Sequence, residues 1–519
     1  MPRGRIIFSA LEETGDAKRK ATNLGVLLIA PQALAAQNGV ADAVSSITAE
    51  DFIRRVGIIA HDSMRGRNTP SPELDQTAEY LAGEFRKMGL LPGAGGGSFI
   101  QRYPLGRERV DIVASGVSIP GGRTLRLGTD VILLSGGATG PRGISGPVVV
   151  VSGTPGNAQS FEDLNVRGDV VVVVASGSDG WSRRGLLALQ QQGPAAVVIL
   201  TRRSDSSWRR AQRGLYRVSL RKAWGGRPGG IPVVEVRREA IEGSLEARGF
   251  DLSAARLRGV ESREAQRISG FSMTINLEYQ TVEELTAPNV VAILEGSDPI
   301  LRDEYVTFSG HMDHVGVGNP VNGDSIYNGA DDDASGTIAV VEAAEAFATL
   351  HPRPRRSLMF IIVSGEEKDL WGSEYFADNP PVPIESIVAN LNTDMVGRNW
   401  KDTIVAIGKE HSNLGETLDR VNARHPELGM TAIDDIWPNQ RFYYRSDHYN
   451  FARKGVPILF FFNGTHEDYH RPGDHVEKID GEKAARIVKL VFFLGLDIAN
   501  ADQRPQWYPE SYRQIVEGN

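Results

Sequence analysis

After Ser272 the sequence alternates between nearly continuous apolar runs and stretches with helical spacing. The runs are Met273–Tyr279, Val290–Leu294, Tyr305–Ser309, Leu358–Val363, Ile387–Leu391 and Val456–Phe462, and the helical stretches include Ala334–Leu350 and Lys483–Ala499. A strand that is apolar at every position has both faces buried. It therefore belongs in a sheet covered on each side by helices, and the expected fold class is α/β.

At 519 residues the chain is long for one hydrophobic core, and two domains are expected. Phe52, Val56 and Ile59, then Ala78, Leu81, Phe85 and Met88, predict two helices between Ile47 and Gly89, broken at Gly66–Pro70. Between about Val110 and Arg267 the character changes to short β-branched runs, Val148–Val151, Val170–Val174, Ala196–Leu200 and Ile231–Val236, with one helix at Arg184–Gln192. This stretch reads as a small β-rich domain inserted into the α/β domain. The expected division is 45–109 and 268–505 for the α/β domain, 110–267 for the insertion and 506–519 for a C-terminal tail. Within the insertion, Arg202, Arg203, Arg209, Arg210, Arg213, Arg217, Arg221, Lys222 and Arg227 face a single acid, Asp205. A solvated loop is the plainer reading, and a site for an anionic surface or acidic substrate is the other.

A net charge of −8 argues against nucleic acid as the main partner. The absence of cysteine removes disulfides, thiolate ligands and a thiol nucleophile together. Lys18-Arg19-Lys20, the apolar run Leu24–Ala30 and the small residues before Gln37 read as a secretory signal over residues 1–36, which makes the chain an exported one. Glu12, Glu13 and Asp16 fit that reading badly, since such a segment is normally basic. The apolar run is too short to span a bilayer, so no integral membrane segment is expected in the mature chain.

The ionisable residues carry the chemistry. Ligands in open α/β sheets bind beyond the carboxyl ends of the strands. His311 follows Tyr305–Ser309, Glu366 and Glu367 follow Leu358–Val363, Asp394 follows Ile387–Leu391, and His470 lies in the loop after Val456–Phe462. With an aspartate from Asn328-Gly-Ala-Asp-Asp-Asp-Ala-Ser-Gly336, this gives two imidazoles and three carboxylates for metal binding and one carboxylate to spare. Neighbouring side chains on an extended backbone point apart, so one of Glu366 and Glu367 can ligate while the other reaches the attacking water. Asp313 is expected to orient an imidazole or its surroundings from behind, and Asp474 to support His470. His314, His448 and His466 are near enough to the motifs to count as pocket candidates.

These segments, Gly310-His-Met-Asp-His314, Asn328–Gly336, Ser364-Gly-Glu-Glu367, Asn392-Thr-Asp394 and Asp468-Tyr-His470, resemble metallopeptidase family 28, the di-zinc aminopeptidases related to glutamate carboxypeptidase. The resemblance implies a mixed, mostly parallel sheet of the zinc-peptidase type, with 110–267 as a protease-associated domain. It implies two zinc ions per chain, His311 and Asp394 on one, Glu367 and His470 on the other, and Asp332 bridging. It implies Glu366 as general base and Tyr469 as donor to the developing oxyanion. The substrates would be peptides, cut at their N-terminal residue. Ligand type alone leaves cobalt and manganese open. Other readings stay open too. Arg441, Arg445 and the insertion's arginines could serve a carboxypeptidase, and the fold also supports non-catalytic binding proteins. The arginine stretch raises nucleic acid only weakly. Glutaminyl cyclisation, which uses one zinc, is disfavoured by the full ligand set.

Overall fold

The computed structural model describes residues 39–140, 142–153, 164–175, 183–201, 203–225, 230–252 and 265–518. The expected signal segment, Arg202 and Arg227 lie outside them. The chain forms two compact units, one of Met1–Tyr103 with Thr286–Asn519 and one of Pro104–Leu285. The second unit thus extends on both sides beyond the expected 110–267, because the division falls inside two long strands, Ile100–Val110 (β1) and Tyr279–Leu294 (β2).

The first unit is built on β1, β2, Tyr305–His311 (β3), Ser357–Val363 (β4), Ile387–Asp394 (β5), Thr403–Ile407 (β6), Thr431–Ile433 (β7) and Ile458–Phe462 (β8), in the order β7-β6-β8-β5-β3-β4-β2-β1. The four central strands β8, β5, β3 and β4 run parallel. β2 is antiparallel to β4, and β6 to β8, so the sheet is mixed.

Both faces are covered, as the apolar runs required. Phe360 on β4 meets Phe85 and Phe347, from helices Pro72–Lys87 and Gly336–Thr349, and Phe347 in turn meets Phe492 of Gly481–Asn500. The alternate β4 residues Met359, Ile361 and Val363 join a different cluster with Phe376 and Phe451. Period-two alternation of the side chains thus feeds two cores from one strand. Helix starts follow capping chemistry: Ser71 accepts from the Leu74 amide before Pro72, and Asp480 from that of Lys483. In the C-terminal tail Ile515 is buried, and the Trp507 indole donates to the Gly455 carbonyl.

The second unit holds an eight-stranded sheet. Four of its strands, Ile144–Gly153, Val170–Ala175, Ala196–Thr201 and Val233–Arg237, are parallel neighbours. Its helices include Arg183–Gln191, Asp205–Gln212 and Arg238–Glu246. The expectation of a β-rich insertion with one helix needs correcting, because parallel strands require crossovers and two of these helices lie between such strands. Ala265–Asn276 also belongs here, so the run beginning at Met273 lies in this sheet and not in the α/β domain's. Part of the arginine stretch is helical, and Arg203 and Arg237 are committed to Glu235 and Asp205. Among the described residues no helix is long and apolar enough to cross a membrane.

Candidate metal centre

β3 ends at His311, β5 at Asp394, and the turn after β4 carries Glu366 and Glu367. Parallel strands in register bring these ends to one edge of the sheet. The Asn328–Ser335 segment and the 466–474 loop arrive beside them, and Asp332 becomes the hub. Its Oδ1 is 3.5 Å from His311 Nε2, and its Oδ2 is 3.2 Å from His470 Nε2. Asp394 Oδ2 is 3.8 Å from His311 Nε2, and Glu367 Oε1 is 3.1 Å from His470 Nε2. All five candidate ligands therefore gather, with Asp332 between two groups. His311, Asp332 and Asp394 form one potential cation site, and His314, Asp332 and Glu367 form another.

The three adjacent aspartates divide their work. Asp333 accepts from the amides of His311, Gly336 and Met395. Asp331 accepts from the Gly397 amide and the Ser335 hydroxyl. Both tie down backbone, which leaves Asp332 to face the cluster. Gly329, at φ 59°, is needed just before them: a Cβ there would run into the Asp332 carbonyl and the His314 ring.

The surroundings orient these groups. His311 Nδ1 lies 3.1 Å from the Asp313 carbonyl oxygen, which can only accept, so Nδ1 carries the proton and Nε2 presents its lone pair to the cluster. The Asp313 carboxylate stands 3.7 Å from the same Nδ1 and also accepts from the Thr69 hydroxyl and the Glu366 amide. Asp474 does not reach back to His470 as expected. Its oxygens accept from the amides of Asp331 and Asp332, because the loop folds it under that turn. Tyr469 stacks on His470, with ring centroids 3.9 Å apart.

The electrostatics fit a cation. Asp332 Oδ2 and Glu367 Oε1 are buried without a hydrogen-bond partner. Buried carboxylates in that state are costly unless positive charge sits among them. Burial acts against charge on His470, yet Asp332 and Glu367 outweigh it and raise the imidazole to about 10. Burial first, and then the neighbouring carboxylates, push Glu366 well above the usual carboxylate range even though His311 opposes the shift. Mixed nitrogen and oxygen donors at these separations suit zinc. His470 is 38% exposed while the other ligand side chains are nearly covered, so the cluster opens on its side.

Three features were not legible beforehand. Arg67 is fully buried and donates to the carbonyls of Ile59, Met312, Asn328 and Gly329, pinning two loops of the site. Asp447 is buried nearby, and burial lifts its carboxyl to about 7. His314, only a pocket candidate before, lies in the cluster itself, 2.9 Å from Glu367 Oε1. The other two pocket candidates do not join it. His448 bonds the Tyr443 carbonyl and stacks on Phe460, and His466 faces Asp331.

Residues 289–494 match the model of Peptidase family M28. Over that stretch the chain is similar to the M28 peptidases. Among curated relatives, a probable zinc metalloprotease of Pyricularia oryzae is 29% identical over 259 residues, which are 41% of this chain and 50% of that protein. A probable leucine aminopeptidase of Arthroderma benhamiae is 26% identical over 47% of this chain and 68% of its own length. The chain thus spans half to about two thirds of the length of these relatives. Of the solved structures, the aminopeptidase from Aneurinibacillus sp. strain AM-1 aligns over 90% of this chain and 97% of its own, at 18% identity and a TM-score of 0.47.

Proposed function

We propose that the chain is a di-zinc aminopeptidase that removes N-terminal residues from peptides. The observation that carries this reading is the division of Asp332, with one oxygen towards His311 and the other towards His470 and Glu367. His311, Asp332 and Asp394 would hold one ion, and Asp332, Glu367 and His470 the other. Zinc bound there supplies Lewis-acid polarisation of the scissile carbonyl and a water that loses its proton near neutral pH. Glu366 Oε2, 3.9 Å from His311 Nε2, lies beside the cluster and receives that proton, then delivers it to the leaving amine. The Tyr469 hydroxyl donates to the oxygen on which charge develops.

The carboxypeptidase reading needs arginines aimed at a substrate carboxylate. Arg441 and Arg445 are instead exposed and stacked over Tyr444 and Phe442. The deciding experiment compares aminoacyl-p-nitroanilides with N-blocked dipeptides, each with and without chelator. Chelator-sensitive release from the first set alone is expected, and cleavage of the blocked set alone would overturn the reading. Export rests on the basic, apolar and small-residue run at 18–37, and N-terminal sequencing of the mature protein tests it.

A further inference from the structure

The fully buried imidazole of His314 has neither ring nitrogen in a hydrogen bond. A buried polar group in that state loses about 1–3 kcal/mol, so a fold that keeps one has a use for it. Its Nδ1 lies 2.9 Å from Glu367 Oε1 and 3.7 Å from Asp332 Oδ2. The Glu367 and Asp332 oxygens likewise have no hydrogen-bond partner, although they are this close to a ring nitrogen. His470 Nε2 closes the group, 3.1 Å from the same Glu367 oxygen and 3.2 Å from the same Asp332 oxygen. The His314 and His470 rings meet edge to face with centroids 5.6 Å apart, both directed at those oxygens.

Four donors around a zinc ion, each at about 2.0–2.2 Å, stand roughly 3.3–3.6 Å from one another at the corners of a tetrahedron. The four separations above scatter about that edge. A hydrogen bond from His314 to Glu367 explains less, because it leaves the Asp332 oxygen without a partner.

We propose that His314 Nδ1 is a sixth protein ligand, which makes the second ion's site a closed one of His314, Asp332, Glu367 and His470. The inference rests on the di-zinc reading above and adds an asymmetry to it. The site of His311, Asp332 and Asp394 has three protein donors and so keeps a place for water or substrate, next to Glu366. The other site has four, as structural zinc sites do.

X-ray absorption on the zinc-loaded wild-type chain tests this without any substitution, by counting imidazoles. Three imidazoles shared between two ions are expected, from His311, His314 and His470. Two imidazoles at full loading would overturn the proposal and leave the di-zinc reading intact. A chain that takes up no zinc would remove both. The second measurement is zinc affinity by chelator competition on His314→Ala. A ligand's loss should weaken one of the two sites by more than about 100-fold and leave the other unchanged, whereas a residue that only orients a ligand costs about 10–100-fold. An unchanged affinity at both sites would overturn the assignment.

Discussion

Each unit of this protein contains four adjacent parallel strands built largely of valine, isoleucine, leucine and phenylalanine, yet among the described residues only the first unit's sheet ends in a metal-ligating cluster. In the first unit the strands β3 and β5 end in His311 and Asp394, and the turn after β4 supplies Glu366 and Glu367. In the second, charges near the strand ends are spent in pairs: Arg203 with Glu235, and Arg237 with Asp205 and over the Trp208 ring. Among the described residues no metal-ligating cluster occurs there. A parallel sheet supplies a ledge at the carboxyl ends of its strands, but what the ledge does depends on the side chains at a few positions.

Glu366→Gln should give the largest effect. Hydrolysis of an aminoacyl-p-nitroanilide should fall by about 10²–10⁴-fold while zinc content stays at the wild-type level. Near-normal turnover would break the contrast at its centre, because the ledge would then carry no base. Asp332→Ala should lower the metal content itself, read by elemental analysis after dialysis, since this carboxylate serves both groups of ligands. In the second unit the contrast predicts cost without chemistry. Leu245→Ala in that core should destabilise by about 2–5 kcal/mol in a denaturant titration and leave the rate per zinc-loaded chain unchanged. A specific loss of turnover in that variant would mean the second sheet contributes to the reaction.

The smallest effect sharpens the contrast within the first sheet, at the amino end of β3. Burial pushes the Glu304 carboxyl up, but Arg356 and Arg504 outweigh it and hold it below the ordinary range. A carboxylate held low stabilises the fold above its unfolded value and loses that contribution as the pH falls through the lowered one. Glu304→Gln should therefore cost about 1 kcal/mol at pH 7, a figure discounted for solvent around Arg504. The difference from the parent should close below about pH 4. A gap that persisted in acid would show that shape and not charge makes the contact.

Much of the first unit was legible in one dimension. The two-sided burial of Leu358–Val363 and Ile387–Leu391 followed from their unbroken apolar character, and the convergence of His311, Glu367 and Asp394 followed from their places after strands. The second unit was less legible, because Val-rich runs look alike in parallel and antiparallel sheets, and the helices Asp205–Gln212 and Arg238–Glu246 are too short and too charged to stand out. Asp474 was misjudged because a spacing of four residues says nothing about which way a loop folds.

The amino-acid order determined the inventory: which strands are buried, where each acid and imidazole falls along them, and the glycines that permit tight turns. The division of labour within that inventory came only with the tertiary structure. Asp331, Asp332 and Asp333 are the same residue three times over, and what separates them is which backbone amides happen to lie within reach. His314 shows the same thing from the other side. It is one more histidine beside a motif until folding strips it of water and of every hydrogen-bond partner, and sets it against two carboxylates in the same condition.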